Sequence, residues 1–253
     1  MLRYILLFLL LISLIFNCGS GKRVGPDIWG NLYSGRDIFD EFVFYGKVMF
    51  KIDDFEDGDT ISAMGYSWFT VDDGVNGGNS SISIDVKTND GASGTGKALH
   101  ITYTLGHTWG AKNEPPYAFV KTELTNINTG EKFLNFNNYD YIDFWMKGSG
   151  KKISVVLETP DVIKDYNYYN YTIDNVPAKW REYKIKVKDF SQGDWGPATV
   201  TVDMSQAFSK VVGIAFKASS AEEGDTGDIY VDQVSIINQG RANDYDNDLY
   251  YGN

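Results

Sequence analysis

The chain has 253 residues, enough for one or two domains, and a net charge of −11. So acidic a surface repels a phosphate backbone and excludes nucleic acid as a partner, while neutral ligands and divalent cations stay compatible with it. The single cysteine, Cys18, excludes an internal disulfide, so stability must come from an apolar core or from a bound metal.

Arg3 is the only side-chain cation ahead of the apolar run at residues 4–16. That run has the length of a signal-peptide core and is short for a membrane span. It ends Ile15-Phe16-Asn17-Cys18 and is followed by Gly19-Ser20-Gly21. Residues 1–18 resemble a bacterial lipoprotein signal, in which the cysteine becomes the lipidated first residue; Asn17 departs from the small residue usual before it. The expectation is export to the bacterial cell envelope, with a lipid anchor at Cys18 holding the protein to a membrane. Residues 19–47 read as a tether and an N-terminal extension. In the extension Ile38, Phe39, Phe42, Val43 and Phe44 suit a short helix or an extra strand.

The main domain is expected over residues 48–238, with an acidic polar tail at 239–253. Inside it the apolar period is two. Ile142, Phe144 and Met146 alternate with Asp143, Trp145 and Lys147; Ile153, Val155 and Leu157 alternate with Ser154, Val156 and Glu158. Tyr183, Ile185 and Val187 follow the same rule, as do Val212, Ile214 and Phe216. Turn signals separate the runs: Asp72-Asp73-Gly74, Asn76-Gly77-Gly78, Asn89-Asp90-Gly91, Gly148-Ser149-Gly150 and Glu223-Gly224-Asp225. Only residues 204–210 suit a helical turn. The pattern predicts an all-β fold, a two-sheet jelly-roll β-sandwich of about ten strands.

Several segments in order carry a family resemblance: IDDFEDGD at 52–59, Trp68, GTGKALHITY at 94–103, YIDFWMKGSG at 141–150, WREYKIKVKDF at 180–190 and IYVDQVSI at 229–236. Together they resemble the family 11 carbohydrate-binding modules and the related domain of the mitochondrial complex I intermediate-associated protein, over roughly residues 48–237. The resemblance implies a galactose-binding-like jelly roll that holds a β-glucan chain in a groove on one sheet and is stiffened by calcium.

Side chains two apart on a strand share a face, so Asp54 and Glu56 point together while Asp53 and Phe55 point the other way. Calcium takes six to eight oxygens, mostly carboxylate and carbonyl. If the first and last strands pair, Asp54, Glu56 and Asp232 can supply carboxylates. The resemblance places the turn at 94–97 nearby as a source of carbonyls. His100 and His107 are too few and too scattered for a zinc or copper site.

Sugar rings offer apolar C–H faces and hydroxyl rims, which aromatic rings and polar side chains match respectively. With Ala118 and Val120 turned inward, Tyr117, Phe119 and Lys121 face out. With Ile173 inward, Tyr166, Tyr168, Asn170 and Thr172 face out, and Glu158 is outward on its own strand. The resemblance implies a ligand role for Tyr117, and for an acid and an aromatic in the loop after 180–190, here Asp194 and Trp195. The stretch at 106–116 departs from the family pattern as an insertion that brings Trp109 to the groove. Trp68, Trp145 and Trp180 read as structural.

Three functions fit: non-catalytic binding of β-glucan or a related polysaccharide by an exported module; an assembly lipoprotein using the sandwich for protein contacts; and a small glycoside hydrolase. For hydrolysis Glu123 and Glu158 are candidates by default, since no paired-acid run, Gly-x-Ser-x-Gly, phosphate loop or dinucleotide fingerprint occurs.

Overall fold

The computed structural model describes residues 41–44, 47–92, 96–111, 113–125, 133–162, 166–193, 202–219 and 222–239, with side chains from residue 49 onward. In chain order the strands are β1 Glu41–Phe44, β2 Lys47–Asp53, β3 Phe69–Asp72, β4 Ser81–Thr88, β5 Lys97–Thr104, β6 Tyr117–Glu123 and β7 Tyr141–Ser149. They continue with β8 Lys152–Glu158, β9 Tyr169–Asp174, β10 Arg181–Lys186, β11 Ser191–Gln192, β12 Gly213–Ser219 and β13 Thr226–Asn238. One short helix, α1 (Met204–Phe208), precedes β12; Asp203 caps it by accepting from the amides of Ser205 and Gln206.

The strands form two antiparallel sheets. One has seven strands and the other six, in the order β11-β9-β8-β12-β6-β3. The expected sandwich is present. Its strand number exceeds the ten of the sequence because β1, β3 and β11 are too short to show a period of two. The extension contributes a strand rather than a helix, β1, which pairs antiparallel with β2.

The seven-stranded sheet is organised by β13. One edge of β13 pairs with β7; the other pairs with β5 over its first half and with β2 over its second. The switch falls at a bulge where Gln233 has φ 53° and the registers on both edges shift. Asp232 stands at that switch.

The inward residues of both sheets meet in one apolar core. Trp68 stacks against Phe216 with centroids 6.2 Å apart, and Phe144 meets Phe216 edge-on at 5.2 Å. Asp53 also points inward, where its Oδ2 accepts from the Trp68 indole at 2.8 Å and its Oδ1 from the Phe55 amide at 2.7 Å. Burial dominates its electrostatics and pushes its pKa up to about 7.

Candidate functional site

The outer face of the six-stranded sheet collects the aromatics and polar groups that alternation had turned outward. Lys217 of β12 stands in register with Phe119 of β6 on one side and Ser154 of β8 on the other; Ser154 in turn faces Thr172 of β9. One row along, Lys121, Ala215, Val156 and Asn170 form a second line across the same four strands. Partners in antiparallel register share a face, so these side chains belong to one surface.

Tyr117 begins β6 with its ring stacked on Phe119 at 5.9 Å, and Trp109 meets it edge-on at 6.2 Å. Trp109 thus adds a third ring to the Tyr117–Phe119 row. Tyr117 is fixed from below. Its amide donates to the buried Asp73 carboxylate at 3.2 Å, and its hydroxyl accepts from the Asn76 amide at 2.8 Å. Asp73 is fully buried and also accepts from the amide and hydroxyl of Ser80. Burial raises the Tyr117 hydroxyl pKa.

On the far side of the face, Tyr166 and Tyr168 lie edge to ring at 6.3 Å. Tyr166 is 66% exposed and holds a left-handed φ of 61°, an uncommon conformation for a bulky side chain that presents its ring to solvent. Between the tyrosines and β12 lies a cavity of about 150 Å³, whose lining includes Tyr166, Tyr168, Asn170, Ser154, Lys152 and Lys217.

Glu158 lies on this face by parity but is only 5% exposed. Its Oε2 accepts from the Lys121 ammonium at 2.7 Å, and that ammonium also lies 5.3 Å from the Phe69 ring centre. The neighbouring position on β12 is Gly213, where a Cβ would sit 3.0 Å from Glu158 Oε2; the glycine makes room for the carboxylate. Tyr117, Lys121, Glu158, Tyr166, Tyr168 and Asn170 therefore share one sheet face. Asp194, Trp195 and Cys18 lie outside the described residues.

The family model described as complex I intermediate-associated protein 30 (CIA30) matches residues 54–227. The chain belongs to the CIA30 family. Endoglucanase 3 of Fibrobacter succinogenes is 28% identical to this CIA30 chain over 153 residues, 57% of the chain and 21% of that protein, so the chain spans about a fifth of its length. The family 11 carbohydrate-binding module from Clostridium thermocellum, solved with a β-1,3-1,4-mixed-linked tetrasaccharide, superposes with a TM-score of 0.51 at 17% identity, over 78% of this chain and 98% of that one. The family 11 module of a cellulosomal cellulase from the same organism gives 0.49 at 16% identity, over 74% and 93%. The CIA30 domain has the family 11 module fold.

The acids at the end of β2 come close to Asp232, because β2 and β13 do pair. Asp232 is fully buried; its Oδ2 accepts from the Ala92 amide and its Oδ1 from the Gln233 amide, each at 2.7 Å. Burial raises its pKa to about 6, with the negative charges of Glu56 and Asp54 adding to the effect. Glu56 Oε1 accepts from the Lys97 amide at 3.1 Å, while Asp54 Oδ2 pairs with the Lys51 ammonium at 3.0 Å. Gly96 permits the Glu56 approach, since a Cβ there would stand 1.9 Å from Oε1. Among the described residues no three acids converge as a metal cage. The donor chemistry suits a hard cation; the oxygens themselves hold amides and an ammonium.

Sequence reasoning did not assign Lys217, Lys152, Asp73 or Asn76 to the face. Asp73 and Asn76 had registered only as turn residues. The outward parity of Lys217 was legible, but not the neighbours of its strand. His100, on β5, has Nδ1 2.9 Å from Asp85 and Nε2 2.9 Å from Asp228 on the outer face of the other sheet.

Proposed function

We propose that this CIA30 domain binds a polysaccharide chain, a β-glucan or a related glycan, across the outer face of its six-stranded sheet without chemistry of its own. The observation that carries this reading is the shared face: Tyr117 and Phe119 on one side, Tyr166 and Tyr168 on the other, and a polar cavity beside the latter pair. Two pairs of rings on one face suit stacking on sugar faces, and Asn170, Ser154 and Lys121 offer hydrogen bonds to hydroxyl rims. A protein partner is better matched by a flat apolar patch than by a lysine- and amide-walled hollow. Glu158 is buried with an ammonium on its Oε2, which suits a fixed hydrogen-bonding group more than a proton donor.

The module acts at the cell envelope in this reading, exported by residues 1–18 and held to a membrane through a lipid on Cys18. Incorporation of labelled fatty acid into the full chain, lost in Cys18→Ser, tests the anchor. Calcium joins Asp54, Glu56 and Asp232 after displacing the Lys51 and Lys97 contacts, and it stiffens the switch in β13. Affinity electrophoresis of the full chain against a panel of glucans tests the binding itself. Retardation by at least one glucan, reduced by Tyr117→Ala, is the expected result; migration unchanged by every glycan tried would overturn it.

A further inference from the structure

Asn76 is the only asparagine in the sequence that is followed by glycine. It ends a short 3₁₀ turn, Asp73–Asn76, between β3 and β4, and both Asn76 and Gly77 are exposed. Gly77 has a left-handed φ of 93°, which glycine adopts without strain. A Cβ there would meet nothing within 4 Å, so that side of the residue is open to water.

This pair can react with itself. The Gly77 nitrogen can close a five-membered ring on Asn76 Cγ, and no side chain at 77 shields it. The attack forms the N–Cγ bond and breaks the bond from Cγ to the side-chain nitrogen. That nitrogen takes up the proton given up by the Gly77 amide and leaves as ammonia. Water then opens the cyclic imide. Added at Cγ, it restores the normal backbone and leaves a side-chain carboxylate. Added at the main-chain carbonyl carbon, it leaves a backbone that runs through Cγ and is one carbon longer. Two hydrogen bonds restrain the reaction: the Gly77 amide donates to the Gly74 carbonyl at 3.1 Å, and Asn76 Nδ2 donates to the Tyr117 hydroxyl at 2.8 Å. Both lie in an exposed turn, where local opening is frequent.

The second of those bonds connects the reaction to the binding face. The Tyr117 hydroxyl accepts from Asn76, which leaves its own proton for another acceptor. A carboxylate at position 76 has no hydrogen to give. The hydroxyl then donates to that carboxylate, and its proton is withdrawn from any ligand on the face. The new charge also stands next to the turn that holds Asp72 and the buried Asp73.

We propose that Asn76 is a modification site, at which deamidation through Gly77 reverses the hydrogen bond behind Tyr117 and lowers the affinity of the face. The proposal rests on the glycan-binding reading of that face and adds to it a one-way loss of affinity with time in water.

The full chain is incubated at mildly alkaline pH and sampled over days. Each sample is digested for peptide mass spectrometry and titrated with the glucan that the fresh chain binds. The amide-to-acid mass change should appear at Asn76 before any other asparagine, and glucan affinity should fall about threefold in step with it. Fresh Asn76→Asp protein should show a loss of the same size. Asn76→Gln, whose longer side chain would have to close a less favourable six-membered ring, should lose no further affinity during the incubation. Conversion of other asparagines first, or a fall in affinity while Asn76 is still an amide, overturns the proposal and leaves the glycan face standing. Full conversion at Asn76 with unchanged affinity overturns it too. A fresh chain that binds no glucan overturns the binding reading, and the mass change then decides the deamidation by itself.

Discussion

The Lys121 ammonium lies 2.7 Å from Glu158 Oε2, spanning β12 where Gly213 leaves space for the carboxylate. Glu158 is buried and Lys121 nearly so, which makes the pair an energetic unit and not a surface ion pair. Glu158→Gln and Lys121→Met should each lower stability by about 2 kcal/mol in urea denaturation. The double variant should fall short of the sum by about 1–3 kcal/mol. Additive losses would show that the two are uncoupled. Reducing sugar released by the native chain and absent with Glu158→Gln would instead assign hydrolysis to this pair.

Tyr117 is presented by groups beneath it, and the variants should separate support from contact. Tyr117→Ala should weaken glycan binding at least tenfold, about 1.4 kcal/mol or more, with an unchanged melting temperature. Asn76→Ala removes only the bond to the hydroxyl and should weaken binding about threefold. Asp73→Asn acts differently. Its carboxylate accepts from Ser80 twice and from the Tyr117 amide, so one donor is left facing an amide NH₂ in a dry site. A stability loss of about 1–3 kcal/mol should follow. A calorimetric melt of each variant beside its binding isotherm makes the distinction.

Strand parity was the legible part of this molecule. Ala118, Val120 and Ile173 are buried, and Tyr117, Lys121, Tyr168 and Asn170 point the other way, because alternation is local and needs no knowledge of neighbours. Asp53 facing the core follows from the same rule, whereas Asp232 shares the outward parity of Tyr230 and is buried by the turn whose Ala92 amide lies over it. Which strands lie side by side was not legible. Lys217 alternates correctly in sequence, but it joins the face only because β12 inserts between β6 and β8. Asp73 looks like any turn aspartate until Ser80 and Tyr117 fold over it. Glu158 was readable as outward but not as buried, since its cover comes from Lys121, far away in the chain.

Lys217 makes the face sensitive to alkaline pH. Its folded pKa is pushed down from 10.5 to about 8 by burial. Above pH 8 the native protein has released a proton that the unfolded chain keeps until about 10.5, so this group contributes a rise in stability across that window. The other charged groups on this face are Lys152, Asp174 and the Lys121–Glu158 pair, with the tyrosine hydroxyls of 117, 166 and 168. Denaturation at pH 7.5, 8.5 and 9.5 should show the rise, and Lys217→Met should remove it. A stability profile that stays flat across this window would show that Lys217 does not titrate there.

Asp232 gives the calcium proposal its test. It is fully buried at the point where β13 changes partner, and Glu56 and Asp54 already press on it electrostatically. A divalent cation there removes that repulsion and binds the native state alone, so it stabilises in proportion to the logarithm of its concentration. At about 100 times the dissociation constant the gain is about 2.7 kcal/mol, or roughly 5–10 °C in melting temperature for a domain of this size. Chelation should reverse it. Asp232→Asn keeps a side chain able to accept from one of the Ala92 and Gln233 amides, and it should abolish the calcium response with a smaller basal loss. A melting temperature that millimolar calcium moves by less than about 1 °C would leave Asp232 as an acceptor for two backbone amides and nothing more.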